Sequence, residues 1–370
     1  MNYSMNTAES FRKIRIAIFL IGIALICWGT VMVYSASGVF AYERMKDAGF
    51  YLKRHLLFLG IGILTSALIM GIDLNQLRRW AKPLMLSAIL LLVLVLIPGI
   101  GQDIGGARRW FRIGPYHIQP VEVAKYAIIL YLSDTLSRKQ SQLGSFLYGF
   151  LPPVIVLGIV LFLILLQPDL GSVILISLVG VILFYIAGMN SKWLVATFLS
   201  GIPVLGFLIV MEPYRMKRIL AFLNPWADPR GSGFQIIQSL LAFGAGGLWG
   251  MGLGRSTQKL YYLPEAHTDF IFSIIAEEMG FIGTLTVVLL FLGLAYYGAK
   301  IAFAAKGPFL QLLAMGILCT LVLQAIVNMG VSTASLPTKG LPLPFISYGG
   351  SALIFNCVAL GLLLNIARDR

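Results

Sequence analysis

Four stretches of this 370-residue sequence bring charged and hydrogen-bonding side chains together at spacings that could do chemistry. The first is Gly105-Gly106-Ala107-Arg108-Arg109-Trp110-Phe111-Arg112, followed by Gln119-Pro120-Val121-Glu122-Val123-Ala124-Lys125. Arginine carries a planar fork of donors that matches phosphate oxygens, and Trp and Phe suit the headgroup level of a bilayer. The pattern therefore fits an anionic ligand, or else arginines solvated at the interface. Glu122 and Lys125 stand three apart on one helix face, where they can neutralise each other as a structural ion pair. The second stretch, Gln167-Pro168-Asp169-Leu170-Gly171-Ser172, reads as a tight turn with a helix cap, or as a carboxylate lining a cavity.

The third stretch is long, about 212–268. It carries Tyr214, Arg215, Lys217 and Arg218, then a dense run of glycines from Gly231 to Gly254, and ends in Tyr262-Leu263-Pro264-Glu265-Ala266-His267-Thr268-Asp269-Phe270. The glycines could admit phosphate to backbone N–H groups, or allow close helix packing or a flexible loop. They follow no buried strand, which removes a nucleotide-binding loop of the Rossmann or P-loop type. Glu265 and Asp269 fall where an aqueous cavity would meet the membrane. Asp269 could serve as a general base beside cationic phosphate ligands, or cap the helix that follows, and its residue type does not separate the two. Glu277 and Glu278 are costly in lipid and must face the protein interior. The fourth stretch is Leu336-Pro337-Thr338-Lys339-Gly340-Leu341-Pro342-Leu343-Pro344-Phe345-Ile346-Ser347-Tyr348-Gly349-Gly350-Ser351, an irregular segment at membrane depth. Such backbone is tolerated only where it is buried or lines a cavity.

Composition dictates the elements that must position these residues. Hydrophobic residues make up 58% and charged residues 12%, and mean hydropathy is +0.88. A soluble domain has about 45–50% and about 25%, so lipid is the main solvent and the spans must be helices or a closed barrel. The apolar runs are about 17–25 residues long without two-residue alternation, which selects helices. The expected fold is an all-α polytopic membrane protein of about ten spans: 16–36, 55–72, 82–98, 120–136, 147–166, 171–188, 193–211, 269–298, 309–331 and 348–367. The charges of 120–136 make it the weakest of these. One domain over 1–370, with 212–268 as its large extracytoplasmic loop, is the simplest organisation. Lysines and arginines in every inner connection put both termini in the cytoplasm. Arg108, Arg109 and Arg112 in a short outer loop oppose that rule, which is a reason to expect an anionic ligand there. Cys27, Cys319 and Cys357 lie inside apolar runs as small hydrophobes, and His55, His117 and His267 form no ligand cluster.

Taken together, and in this order, the segments resemble the SEDS family (shape, elongation, division and sporulation) over nearly the whole chain, from Tyr34-Ser35-Ala36-Ser37 to the last span. The most specific parts are 262–270 and Pro-Phe-Ile-Ser-Tyr-Gly-Gly-Ser at 344–351. The resemblance implies a peptidoglycan glycosyltransferase that polymerises lipid II at the outer face of the bacterial cytoplasmic membrane. It implies Asp269 as catalytic base, with Arg108, Arg109, Lys125, Arg215, Glu265, Lys339 and Ser347 binding the diphosphate-linked sugar or shaping its site. Residues 337–348 resemble the division or sporulation branch, FtsW-like rather than RodA-like, which implies septal synthesis. The implied partners are a class B penicillin-binding protein, other division proteins and membrane lipid, with no nucleic acid. A divalent cation, Mg2+ or Mn2+, could assist the diphosphate, although no dedicated ligand set is present. A lipid II flippase, an elongation-type polymerase and a structural scaffold are the competing expectations.

Overall fold

The computed structural model describes residues 2–104, 106–260 and 263–368, with side chains outside 2–10, 198, 204, 205 and 208. Gly105 and Tyr262 of the segments read above lie outside the described residues. Each of the ten expected spans coincides with a helix: α1 (Asn2–Met45), α2 (Phe50–Met70), α4 (Ala81–Leu94), α5 (Pro120–Arg138), α6 (Leu151–Leu165), α7 (Leu170–Ile186), α8 (Ser191–Val210), α11 (Ile271–Ala304), α12 (Gly307–Ser332) and α13 (Gly350–Ile366). Short helices α3 (Leu74–Arg79), α9 (Pro213–Leu223) and α10 (Phe234–Gly246) complete the set of α-helices among the described residues. Among the described residues five helices are long and apolar enough to cross a membrane, and four more are apolar but shorter. The fold is α-helical, polytopic and membrane-embedded.

α5 lies at the centre of the bundle, packed on α4, α7, α12 and α13. Its charges, which made it the weakest span in the sequence, turn inward. Lys125 lies 2.9 Å from Glu122, and Asp134 accepts from both Arg78 and Arg138 at 2.7 Å. Buried charges persist only when paired in this way.

Two features depart from the expected loops. Residues 101–118 form a three-stranded antiparallel sheet, β1 (Gly101–Ile104), β2 (Ala107–Ile113) and β3 (Tyr116–Ile118), in that spatial order. Much of 212–268 is also ordered. Helix α10 packs on α11 and α12 and buries Ile236, Ile237 and Ala242. The segment after it fastens a break in α11. At Gly280 (φ 65°, ψ −161°) the helix leaves its ladder, a conformation reserved for glycine. The freed carbonyls of Glu277 and Glu278 accept from Met251 and Gly252 N–H, while the Phe281 and Ile282 N–H groups donate to Gly247 and Leu248. No water is needed to satisfy the break. Glu277 and Glu278 face inward here as expected: Glu277 accepts from Ser256 and Thr257, and Glu278 from Ser35 and, at 2.7 Å, Lys259.

Candidate active site

At the end of the bundle that carries the sheet, a cavity of about 990 Å³ opens between β2, the turn before α7, α9 and two irregular segments. Each wall brings its polar residue by a local device. β2 carries an irregularity at Arg109: Gln102 pairs with Trp110 and Asp103 with Arg108, so Arg109 is the extra residue of a bulge, a device that re-aims side chains. Arg109 lines the cavity, and its Nε and Nη2 donate to the carbonyls of Gln167 (2.7 Å) and Pro168 (2.6 Å). Arg108 is not part of the cavity lining and lies 3.8 Å from its cross-strand partner Asp103. Asp169 caps α7, accepting from Ser172 N–H (3.1 Å) and Ser172 Oγ (2.7 Å), and also lines the cavity. Both readings of that residue hold at once.

Helix α9 presents Tyr214, Arg215 and Arg218 to the cavity from one face, as spacings of three and four residues require. The Arg218 guanidinium sits 4.6 Å from the centre of the Tyr214 ring, and its Nη1 donates to the Thr338 carbonyl at 3.0 Å. Lys339, beside Thr338, also lines the cavity. Burial lowers its pKa, and the Asp169 carboxylate opposes that shift.

The 263–270 turn carries Glu265, Thr268 and Asp269 to the cavity wall. Glu265 adopts φ 58°, an uncommon conformation for this residue type. Its carbonyl accepts from the Thr268 and Phe270 N–H groups, and Thr268 Oγ1 donates to its carboxylate at 2.7 Å. Helix α11 starts at Ile271, with Phe270 in the capping position and no side-chain cap, so Asp269 stands before the span and does not cap it. Its carboxylate faces the cavity but is enclosed by protein elsewhere. Burial first, and then the Glu265 charge, push its pKa up to about 7, with Asp169 adding and Arg218 and Arg109 opposing. The 337–349 segment closes the wall. An ideal Cβ on Gly340 would lie 3.1 Å from Asp269 Oδ2, so only glycine allows this approach without displacing the carboxylate.

The two most specific sequence motifs meet here. Tyr348 N–H donates to the His267 carbonyl at 2.9 Å, and Ser347 Oγ donates to the Thr268 carbonyl at 2.6 Å. Of the residues singled out from sequence, Arg109, Arg215, Glu265, Asp269 and Lys339 come together around the cavity. Arg108 is not part of the cavity lining and Lys125 is buried in the bundle; Ser347 is a tie between segments. Arg218, to which the sequence gives no binding role, lines the cavity as well, and its spacing of four from Tyr214 and three from Arg215 is a usable signal. Gln119 and Tyr348 line the same cavity.

The described residues do not form a dedicated cation site. Among the described residues no group of three or more His, Cys, Asp or Glu could hold a metal ion, and Asp169 and Glu265 are engaged by Ser172 and Thr268. The charge that faces an anion here is that of arginine and lysine side chains.

Comparison with known proteins places these observations. Residues 15–370 match the family model described as Cell cycle protein, FtsW/RodA/SpoVE. A Geobacter metallireducens protein named "Probable peptidoglycan glycosyltransferase FtsW" is 45% identical over 367 residues, covering 99% of this chain and 98% of its own. Stage V sporulation protein E of Bacillus subtilis is also 45% identical, over 94% of this chain and 95% of its own. Among solved structures, a chain from work titled "Structural coordination of polymerization and crosslinking by a peptidoglycan synthase complex" superposes with a TM-score of 0.79 at 32% identity, over 95% of this chain and 97% of that one. The Thermus thermophilus rod shape determining protein RodA gives a TM-score of 0.71 at 30% identity, over 95% and 96%. The chain belongs to the FtsW/RodA/SpoVE family of cell cycle proteins, the SEDS family its motifs resemble.

Proposed function

We propose that the chain is a peptidoglycan glycosyltransferase that polymerises lipid II into glycan strands at the outer face of the bacterial cytoplasmic membrane, for septal synthesis. The observation that carries the reading is a carboxylate, Asp269, poised near neutrality in a cavity whose other charged groups include Arg109, Arg215, Arg218 and Lys339. A base with pKa near the working pH combines availability with driving force. Asp269 takes the proton from the 4-hydroxyl of the acceptor N-acetylglucosamine. The oxygen forms a bond to C1 of the donor N-acetylmuramic acid as the C1–O bond to the diphosphate breaks, with inversion, and the electron pair leaves on the lipid diphosphate. The cations stabilise that developing charge most as it forms. Arg109 and Arg218 are held by backbone carbonyls, so little reorganisation is needed.

The domain reading follows: one membrane domain over 1–370, both termini cytoplasmic, with 212–268 and the sheet on the outer side. Partners are a class B penicillin-binding protein supplying transpeptidation, and other division proteins. The structural match to a chain from a peptidoglycan synthase complex supports the first. Purified lipid II incubated with the protein, alone and with its cognate transpeptidase, tests the reading. Glycan polymer is the expected product, and its absence even with the partner, alongside lipid II translocation in vesicles, would favour a flippase.

A further inference from the structure

Two amides on one face of α12 hold the backbone beneath the candidate base. Gln324 and Asn328 are four residues apart, hence one turn, and both are buried. Asn328 Nδ2 donates to the Asp269 carbonyl and to the Leu341 carbonyl, each at 2.8 Å. Gln324 Nε2 donates to the Pro342 carbonyl at 2.8 Å, while its Oε1 accepts from Lys125 Nζ at 3.0 Å. A lysine only donates and a backbone carbonyl only accepts, so these partners force the orientation of both amides. Lys125 is in turn paired with Glu122. A buried polar chain therefore runs from the first turns of α5 through Gln324 to the Pro342 carbonyl, one residue from the Leu341 carbonyl that Asn328 ties to the Asp269 backbone.

The arrangement is costly for stability alone. Among the described residues Asn328 Oδ1 is buried with no hydrogen-bond partner, which works against stability. In exchange, the Asp269 backbone is fastened to Leu341, next to Gly340, where the wall already approaches Asp269 Oδ2 closely. Catalytic geometry must be held to within roughly 0.5 Å, and these bonds set the distance between the two walls.

We propose that Asn328 and Gln324 are positioning residues for the glycosyl transfer proposed above: they hold the Asp269 turn in register with the 341–342 backbone, and Lys125 acts through Gln324 rather than on substrate. The inference rests on that functional reading. The same full-length protein, with its transpeptidase partner and purified lipid II, supplies the test through kcat, KM and the pH dependence of kcat/KM.

Asn328→Leu keeps the shape and removes the donors. It is expected to lower kcat about tenfold or more with KM little changed. It should also move the acid limb of kcat/KM downward, because a freed turn lets water reach Asp269. The charged groups around that carboxylate, Glu265, Arg218, Asp169 and Arg109, stay in place in the variant, so the shift reports burial. Gln324→Leu should lower kcat in the same sense. Combining it with Glu122→Gln/Lys125→Met should cost little more than the worse of the two alone, as members of one chain do.

A folded Asn328→Leu variant with wild-type kcat and pH profile would overturn the proposal. If thermal unfolding shows that Asn328→Leu does not fold, the Gln324 and Lys125 variants decide: losses that simply add, or a rise in KM without a fall in kcat, refute it. A wild type that makes no polymer with its partner overturns the glycosyltransferase reading and this proposal with it, whereas a polymerising wild type beside an unaffected Asn328→Leu removes the positioning role alone.

Discussion

At the scale of the residue, Asp269 carries the account because its surroundings pull its pKa in opposite directions. Burial and Glu265 raise it to about 7 while Arg218 and Arg109 hold it down. The anion is the active form of a base, so kcat/KM should rise with pH through an acid limb near that value and then level. Removing the negative neighbour with Glu265→Gln should move the limb down, and removing the positive one with Arg218→Ala should move it up. A pH titration of lipid II polymerisation reads both shifts, and shifts of the opposite sign would detach the limb from Asp269. The adjacent arginines of β2 give a second contrast. Arg109→Ala removes a cation from the cavity and should cost activity on the order of a hundredfold. Arg108→Ala removes an exposed pair with Asp103 and should leave polymerisation within about twofold. Initial rates for the two variants decide it.

At the scale of the element, the apolar runs were legible because lipid imposes helix length and internal hydrogen bonding on them, and each expected span is a helix. The sheet at 101–118 was not legible as such. Its strands are short and their arginines and aromatics read equally well as an interfacial loop, although turn-forming glycines at Gly106 and Gly114 bracket β2. Helix α10 and the wrapping of 247–252 around α11 were hidden in a glycine-rich stretch. Glycine density alone does not distinguish phosphate binding from close packing, and here the backbone of 247–252 bonds to the break in α11. The break makes its own prediction. A Cβ at Gly280 would meet Gly250 N at 2.4 Å and Leu248 O at 2.6 Å, in a positive-φ conformation. Gly280→Ala should destabilise the protein by roughly 1–3 kcal/mol, read as a lower Tm in detergent, and an unchanged Tm would contradict the role given to this break.

At the scale of the whole molecule, the site is assembled from parts far apart in sequence: β2, the turn before α7, α9, the 263–270 turn and the 337–349 segment. That assembly explains what the sequence revealed of the site and what it did not. Residues whose type announces anion binding or proton transfer, such as Arg109, Arg215, Asp269 and Lys339, could be picked out one by one. Whether a given arginine or lysine lines the cavity depends on the bulge in β2 and on packing between helices, which local patterns do not encode. Arg108 and Lys125 therefore share the residue types of the cavity without lining it, and Arg218 lines it without standing out by type. The central claim is that this cavity is a catalytic site with Asp269 as its base. Its most direct test compares wild type with Asp269→Asn, each with its transpeptidase partner, in glycan polymerisation from purified lipid II, with thermal unfolding as the check on folding. The account predicts abundant polymer from the wild type and a loss of roughly 100- to 10,000-fold in the folded variant; equal polymerisation by the two would contradict it.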